Sequence, residues 1–310
     1  MGLSAYWKLK ARTALKGHWL TALLIALVVN LPSLLVQGIA ATTGNDLTAR
    51  LQDRLLIYLQ SNGTQEALET LQAGIQEILG STGIWVIQGL NLAAWLMTPC
   101  LTLGMTAWLL GRLRGEEDPG VTAVFSRMRL FFAGIGLRLY VALRIFLFML
   151  PGLAASVLAY LPLWLGDRTS RISMLNAANT AMGFQSAAMI LTAVLGVMAA
   201  LKYALADMVL ADAPETGPVR AAKKSRELMQ GKRGILFSLY LSFLFWYFLE
   251  LMASNLCLGM FGPVPALMVQ MLASLAISVY VTASVSSFYQ DCLPREKPEQ
   301  EIITESETEE

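Results

Sequence analysis

The chain has 310 residues, 55% of them hydrophobic and only 15% charged, with a formal net charge of +1. Soluble domains carry roughly a quarter charged residues; here the charges gather in short islands between long uncharged stretches, the pattern imposed by a bilayer core roughly 30 Å thick. That excludes an ordinary soluble domain, and a single histidine, His18, excludes a His-based metal site.

In chain order, a basic helix is predicted over residues 4–16, ahead of an apolar stretch at 19–40. The stretch exceeds the roughly 7–15 residues of a signal-peptide core and Gly38-Ile39-Ala40 is a poor cleavage site, so it reads as a retained first span. Residues 45–80 carry Leu47, Leu51, Leu55 and Leu59 at four-residue steps, a break at Ser61-Asn62-Gly63, then Leu68, Leu71, Ile75 and Ile78. This period predicts two amphipathic helices on the outer surface. Apolar stretches at 84–110, 137–165, 184–210, 235–253 and 264–288 bring the spans to six. Pro32, Pro99, Pro151 and Pro162 fall inside them, which membrane helices tolerate. A basic surface segment begins at 125–129, a loop is expected at 166–183, and Pro218 opens a basic amphipathic helix closed by Gly231. The predicted fold class is all-α, a polytopic membrane bundle over 1–292 with an acidic solvated tail at 293–310.

Orientation follows from lysine and arginine. The segments 1–18, 111–136, 211–234 and 289–310 hold sixteen of them, whereas the opposite side holds only Arg50, Arg54, Arg168 and Arg171. The positive-inside rule places the first set, and both termini, in the cytoplasm. Cys100, Cys257 and Cys292 fall at three different levels, so no disulfide framework is expected. Ala14-Leu15-Lys16-Gly17-His18 parallels Leu228-Met229-Gln230-Gly231-Lys232, which suggests three two-span repeats, 1–112, 113–212 and 213–292.

The helix Ala221-Ala222-Lys223-Lys224-Ser225-Arg226-Glu227-Leu228-Met229-Gln230-Gly231-Lys232 is the most specific stretch. With Leu15 to Trp19, Thr98-Pro99, Gly115-Glu116-Glu117, Leu150-Pro151-Gly152, Met208 to Asp212 and Phe288 to Asp291, it resembles a bacterial membrane family known as domain of unknown function nine-seven-five. The resemblance covers nearly the whole chain and implies a multi-span helical protein of the bacterial cytoplasmic membrane with no assigned reaction.

Three groups of residues are candidates for function. Lys223, Lys224, Ser225, Arg226 and Glu227 form a candidate contact for anionic lipid or a partner protein. Arg138, Arg144, Lys202 and Asp207 lie near the inner ends of the third and fourth spans, where Asp207 could pair with Arg138 or Lys202. Against this stands the plainer reading of basic side chains snorkelling to the interface. Gln270, Ser274, Ser278, Thr282 and Ser286 recur at four-residue spacing on the last span, a ridge suited to close helix packing with hydrogen bonds across the contact.

No nucleophile elbow, glycine-rich phosphate loop or metal-ligand spacing is present, so no enzyme and no cofactor are expected. The expected function is a non-catalytic membrane protein that binds lipid or a membrane partner, itself included, in envelope homeostasis; the alternative is a small-molecule or lipid transporter. No nucleic-acid partner is expected.

Overall fold

The computed structural model describes residues 3–60, 65–80, 82–161 and 171–293, and among these every regular element is a helix. In order they are α1 (Leu3–Ala14), α2 (Trp19–Gln60), α3 (Gln65–Gly80), α4 (Thr82–Arg114), the 3-10 segment Gly120–Leu130, α5 (Phe131–Leu158), α6 (Arg171–Tyr203), α7 (Ala206–Asp212), α8 (Pro218–Leu228), α9 (Arg233–Phe261) and α10 (Pro263–Cys292). Six stretches of helix are long and apolar enough to cross a membrane, as the sequence predicts. Pro32, Pro99 and Pro151 sit inside α2, α4 and α5 without ending them.

The spans pack in pairs, α2 with α4, α5 with α6 and α9 with α10. Between pairs, α4 meets α5, α6 meets α9, and α10 returns to α2, so the pairs close into a ring. The short elements gather at one end of it: α1 lies on α10, the 3-10 segment on α4, and α8 on α7. Both hydrophobic cores draw on these elements. One joins Trp7, Leu205, Met229, Phe243, Phe288 and Tyr289; the other joins Ala11, Leu15, Ile25, Trp108, Val124 and Val279. This end carries most of the lysine and arginine and is called the basic end below. Elsewhere the bundle exposes large apolar side chains such as Leu241, Leu244, Phe245 and Phe248 on α9, an apolar surface of the size that lipid or another protein covers.

Three expectations need correction. The first apolar stretch ends at Ile39, as expected, but the helix that carries it does not: α2 is one helix of 42 residues, about 63 Å long at 1.5 Å per residue. No proline follows Pro32 within it, and its two glycines, Gly38 and Gly44, cost a helix only about 1 kcal/mol each. The first of the two predicted surface helices is thus a continuation of the helix that carries the first span, and α3 folds back against α2. Residues from Arg171 onward belong to α6 and not to a loop. The fourth span is interrupted between α6 and α7 instead of running unbroken. The break at Ser61-Asn62-Gly63, loop residues 166–170 and tail residues 294–310 lie outside the described residues.

Candidate functional site

The basic end is organised around α8. Gly217 precedes it with a positive φ of 73°, Pro218 takes its first turn, and Gly231, also at φ 73°, ends the chain reversal after it. Glycine suits these left-handed positions because a Cβ there meets the neighbouring carbonyl. One face of α8 is fully buried, with Ala221, Ala222, Ser225 and, just beyond the last turn, Met229. The Ser225 hydroxyl fills the interruption in the fourth span. It donates to the Lys202 carbonyl at 3.2 Å and accepts from the Leu205 N–H at 3.3 Å, two backbone groups that the break leaves without helical partners. Ser225 is therefore removed from the candidate contact surface. Lys223, Lys224, Arg226 and Glu227 remain exposed, and none of them forms an ion pair among the described residues.

The four intramembrane charges do not converge. Arg144 is exposed, and its Nε donates to the hydroxyl of Tyr140, one turn earlier on α5, at 3.2 Å. Arg138 donates to Thr102 Oγ1 at 3.2 Å. The Lys202 ammonium stacks on the Phe148 ring, 3.6 Å from its centroid. Asp207 feels the Arg138 charge but makes no ion pair with Arg138 or Lys202. Each cation has found a polar or aromatic neighbour instead of the carboxylate.

A different cluster takes their place. Lys202 lies within electrostatic reach of Arg233 and Arg226, and no carboxylate pairs with any of the three among the described residues. The Arg233 Nε is buried without a hydrogen-bond partner. Arg233 opens α9, whose N-terminus has no side-chain cap and no acidic residue in its first turn. Gly234 beside it is exposed, with nothing within 4 Å of where a Cβ would stand. Unbonded N–H groups and the positive end of the helix dipole thus adjoin three unpaired cations, a combination that attracts anions.

Three aspartates at this end are, by contrast, consumed internally. Asp291 accepts from Trp7 Nε1 at 2.7 Å and Lys10 Nζ at 3.0 Å. Asp212 accepts from Arg114 at 2.6 Å and the Tyr289 hydroxyl at 3.1 Å. Asp118 meets His18 Nδ1 at 2.7 Å, Trp108 Nε1 at 2.8 Å and the Gly120 N–H at 2.9 Å. Burial alone would raise the Asp118 carboxyl, but the hydrogen bonds from Trp108, Gly120 and His18, with the His18 charge, hold it below the usual carboxylate range. Its contribution is present at neutral pH and is lost as pH falls from about 4 through the lower folded value. Asp118→Asn should therefore cost about 1–3 kcal/mol near pH 7 and flatten the acid limb of a detergent melting profile; an unchanged acid limb would show that Asp118 does not carry it. Sequence reading missed Asp118 and Trp7. The one local signal was an aspartate directly before Pro119, and the partners come from other helices.

The ridge on α10 does not act as expected. Ser274, Ser278 and Thr282 donate to carbonyls of their own helix, at Met271, Leu275 and Ser278, and not across a helix contact. Ser286 is buried with no hydrogen-bond partner among the described residues. Gln270, Ser274 and Ser278 line a cleft of about 490 Å³ between α2, α9 and α10, facing Asn30, Gln37 and Tyr247. Asn30 and Gln37, seven residues apart and so on one helix face, were the unread signal of the opposite wall. Among the described residues, no group of three His, Cys, Asp or Glu side chains is placed to hold a metal ion.

A family model described as Protein of unknown function (DUF975) matches residues 3–296. No curated protein and no solved structure matches the chain.

Proposed function

The chain belongs to the DUF975 family, whose description assigns no activity, and from that premise we propose that it is a non-catalytic membrane protein that binds anionic lipid at its basic end, in support of envelope homeostasis. The observation that carries this reading is the cluster of Lys202, Arg226 and Arg233 beside the uncapped start of α9, where no carboxylate neutralises the charge among the described residues. A phosphate fits such a place, since it accepts from the guanidinium groups and the free N–H groups together. Lys223 and Lys224 on the exposed face of α8 add the diffuse attraction of about 1 kcal/mol per basic residue near an anionic surface.

On the same reading the basic end faces the cytoplasm of a bacterial cell. The bias in lysine and arginine supports this, and so does the family resemblance. In intact cells, a single cysteine at Lys224 should resist an impermeant maleimide while one at Glu69 reacts; the reverse pattern inverts the orientation. The ring closure of the span pairs supports the three-unit repeat. So do the shared features of Ala11, Leu15 and Gly17 with Ser225, Met229 and Gly231: two fully buried residues, then a positive-φ glycine.

The test of lipid binding is retention of phosphatidylglycerol through purification, counted by native mass spectrometry. Arg226→Gln with Arg233→Gln should strip it, whereas Lys223→Gln with Lys224→Gln should reduce it modestly. Equal losses from both pairs would mean that only net charge matters, and the specific site would be abandoned.

A further inference from the structure

We propose that the cleft between α2, α9 and α10 is a binding site for an uncharged lipid of the diacylglycerol class, separate from the anionic site and independent of it. The volume, about 490 Å³, falls within the roughly 300–1,000 Å³ typical of small-molecule pockets. Among the described residues, no lysine, arginine, aspartate or glutamate lines it. A phosphate head group would find no counter-charge there, and an unneutralised charge within a bilayer is costly. The occupant is therefore neutral.

The wall chemistry narrows the class further. Asn30 spends one of its two amide N–H groups on the Ala26 carbonyl at 2.8 Å, and its side-chain oxygen is left to accept. Ser274 and Ser278 likewise spend their hydroxyl protons on α10 and retain oxygen lone pairs. Gln37 and Gln270 are exposed and make no hydrogen bond among the described residues, so their amides can donate. Acceptors on Asn30 and the two serines suit a ligand hydroxyl, and donors on the two glutamines suit ester carbonyls. A glycerol carrying one free hydroxyl and two acyl esters offers this set with no charge. Leu34 and Leu275 supply apolar wall for the start of the acyl chains.

Position agrees with that occupant. Ser278 is near the midpoint of the 30-residue α10, and Gln270 lies two turns nearer its Pro263 end, away from the basic end. Leu267 and Tyr247 at the rim are 63% and 45% exposed, so the cleft opens sideways toward lipid. A lipid without a charged head group reaches this depth at lower cost than a phospholipid does.

The test uses the full chain in phosphatidylcholine nanodiscs doped with a diazirine-bearing dioleoylglycerol, photolysed and mapped by peptide mass spectrometry. Label should concentrate on residues 30–37 and 267–278, and unlabelled dioleoylglycerol should compete it away while phosphatidylglycerol does not. Asn30→Leu with Gln270→Leu should reduce the label about tenfold, the loss implied by two hydrogen bonds. The competition arm uses the native protein, so it decides the matter even where the double variant folds poorly. Even labelling of all lipid-facing helices, or equal competition by phosphatidylglycerol, overturns the proposal. Disulfide-linked dimers through Ser274→Cys with an unlabelled cleft would overturn it in favour of a second copy as the occupant.

Discussion

Ser225→Ala should lower the stability of the purified protein by about 1–3 kcal/mol, the cost of leaving buried backbone groups without partners. The Lys202 carbonyl and the Leu205 N–H meet only through this hydroxyl at the break between α6 and α7, and the serine is fully buried. Two residues along, Glu227→Gln should be neutral, because Glu227 is exposed and without an ion pair among the described residues. Detergent melting curves of the two variants compare a buried polar bridge with a surface charge inside one five-residue motif. If Glu227→Gln destabilised as much as Ser225→Ala, α8 would owe its docking to a contact of Glu227, and the bridge would not be its distinguishing feature.

Gly104→Ala should be the most disruptive single methyl. A Cβ there would stand 2.6 Å from the Val124 carbonyl carbon and 2.8 Å from its Cα, and both are backbone atoms that no rotamer change can move aside. The 3-10 segment would have to lift off α4, taking Val124 out of the second core. Overpacking of this kind costs about 1–3 kcal/mol and occasionally more, and Gly104 belongs at the upper end. Gly152→Ala should follow, since its Cβ would meet Thr192 Cα at 2.8 Å where α5 packs on α6; small residues are what allow membrane helices this close. Gly89→Ala is the control. It is helical and exposed with nothing within 4 Å, so alanine should be neutral or favourable by up to about 1 kcal/mol. A Gly104→Ala variant that melts like Gly89→Ala would mean that α4 and the 3-10 segment are not in contact.

The six spans and the basic helix at 218 were legible because their causes are local. A bilayer demands a long uncharged run, and proline at a helix start with glycine past its end marks a helix from its own residues. The second half of α2 was misjudged for a related reason: Thr42, Thr43, Gly44 and Asn45 are weak helix formers, yet each weakens a helix too little to end it. What local pattern could not supply was partnership. Four-residue spacing placed Gln270, Ser274 and Ser278 on one face of α10, but whether that face met a helix or a cleft depended on Asn30 and Gln37, more than two hundred residues away. Composition located the basic islands but did not separate Arg114, which is paired with Asp212, from Arg226 and Arg233, which form no ion pair among the described residues. Asp207 and its nearby cations were close in the span layout, and packing gave each cation another neighbour. Length, hydropathy and period are properties of one segment and determine which segments span. Neutralised charges, bridged helix breaks and open polar faces are properties of pairs of segments, and only the tertiary structure decides them.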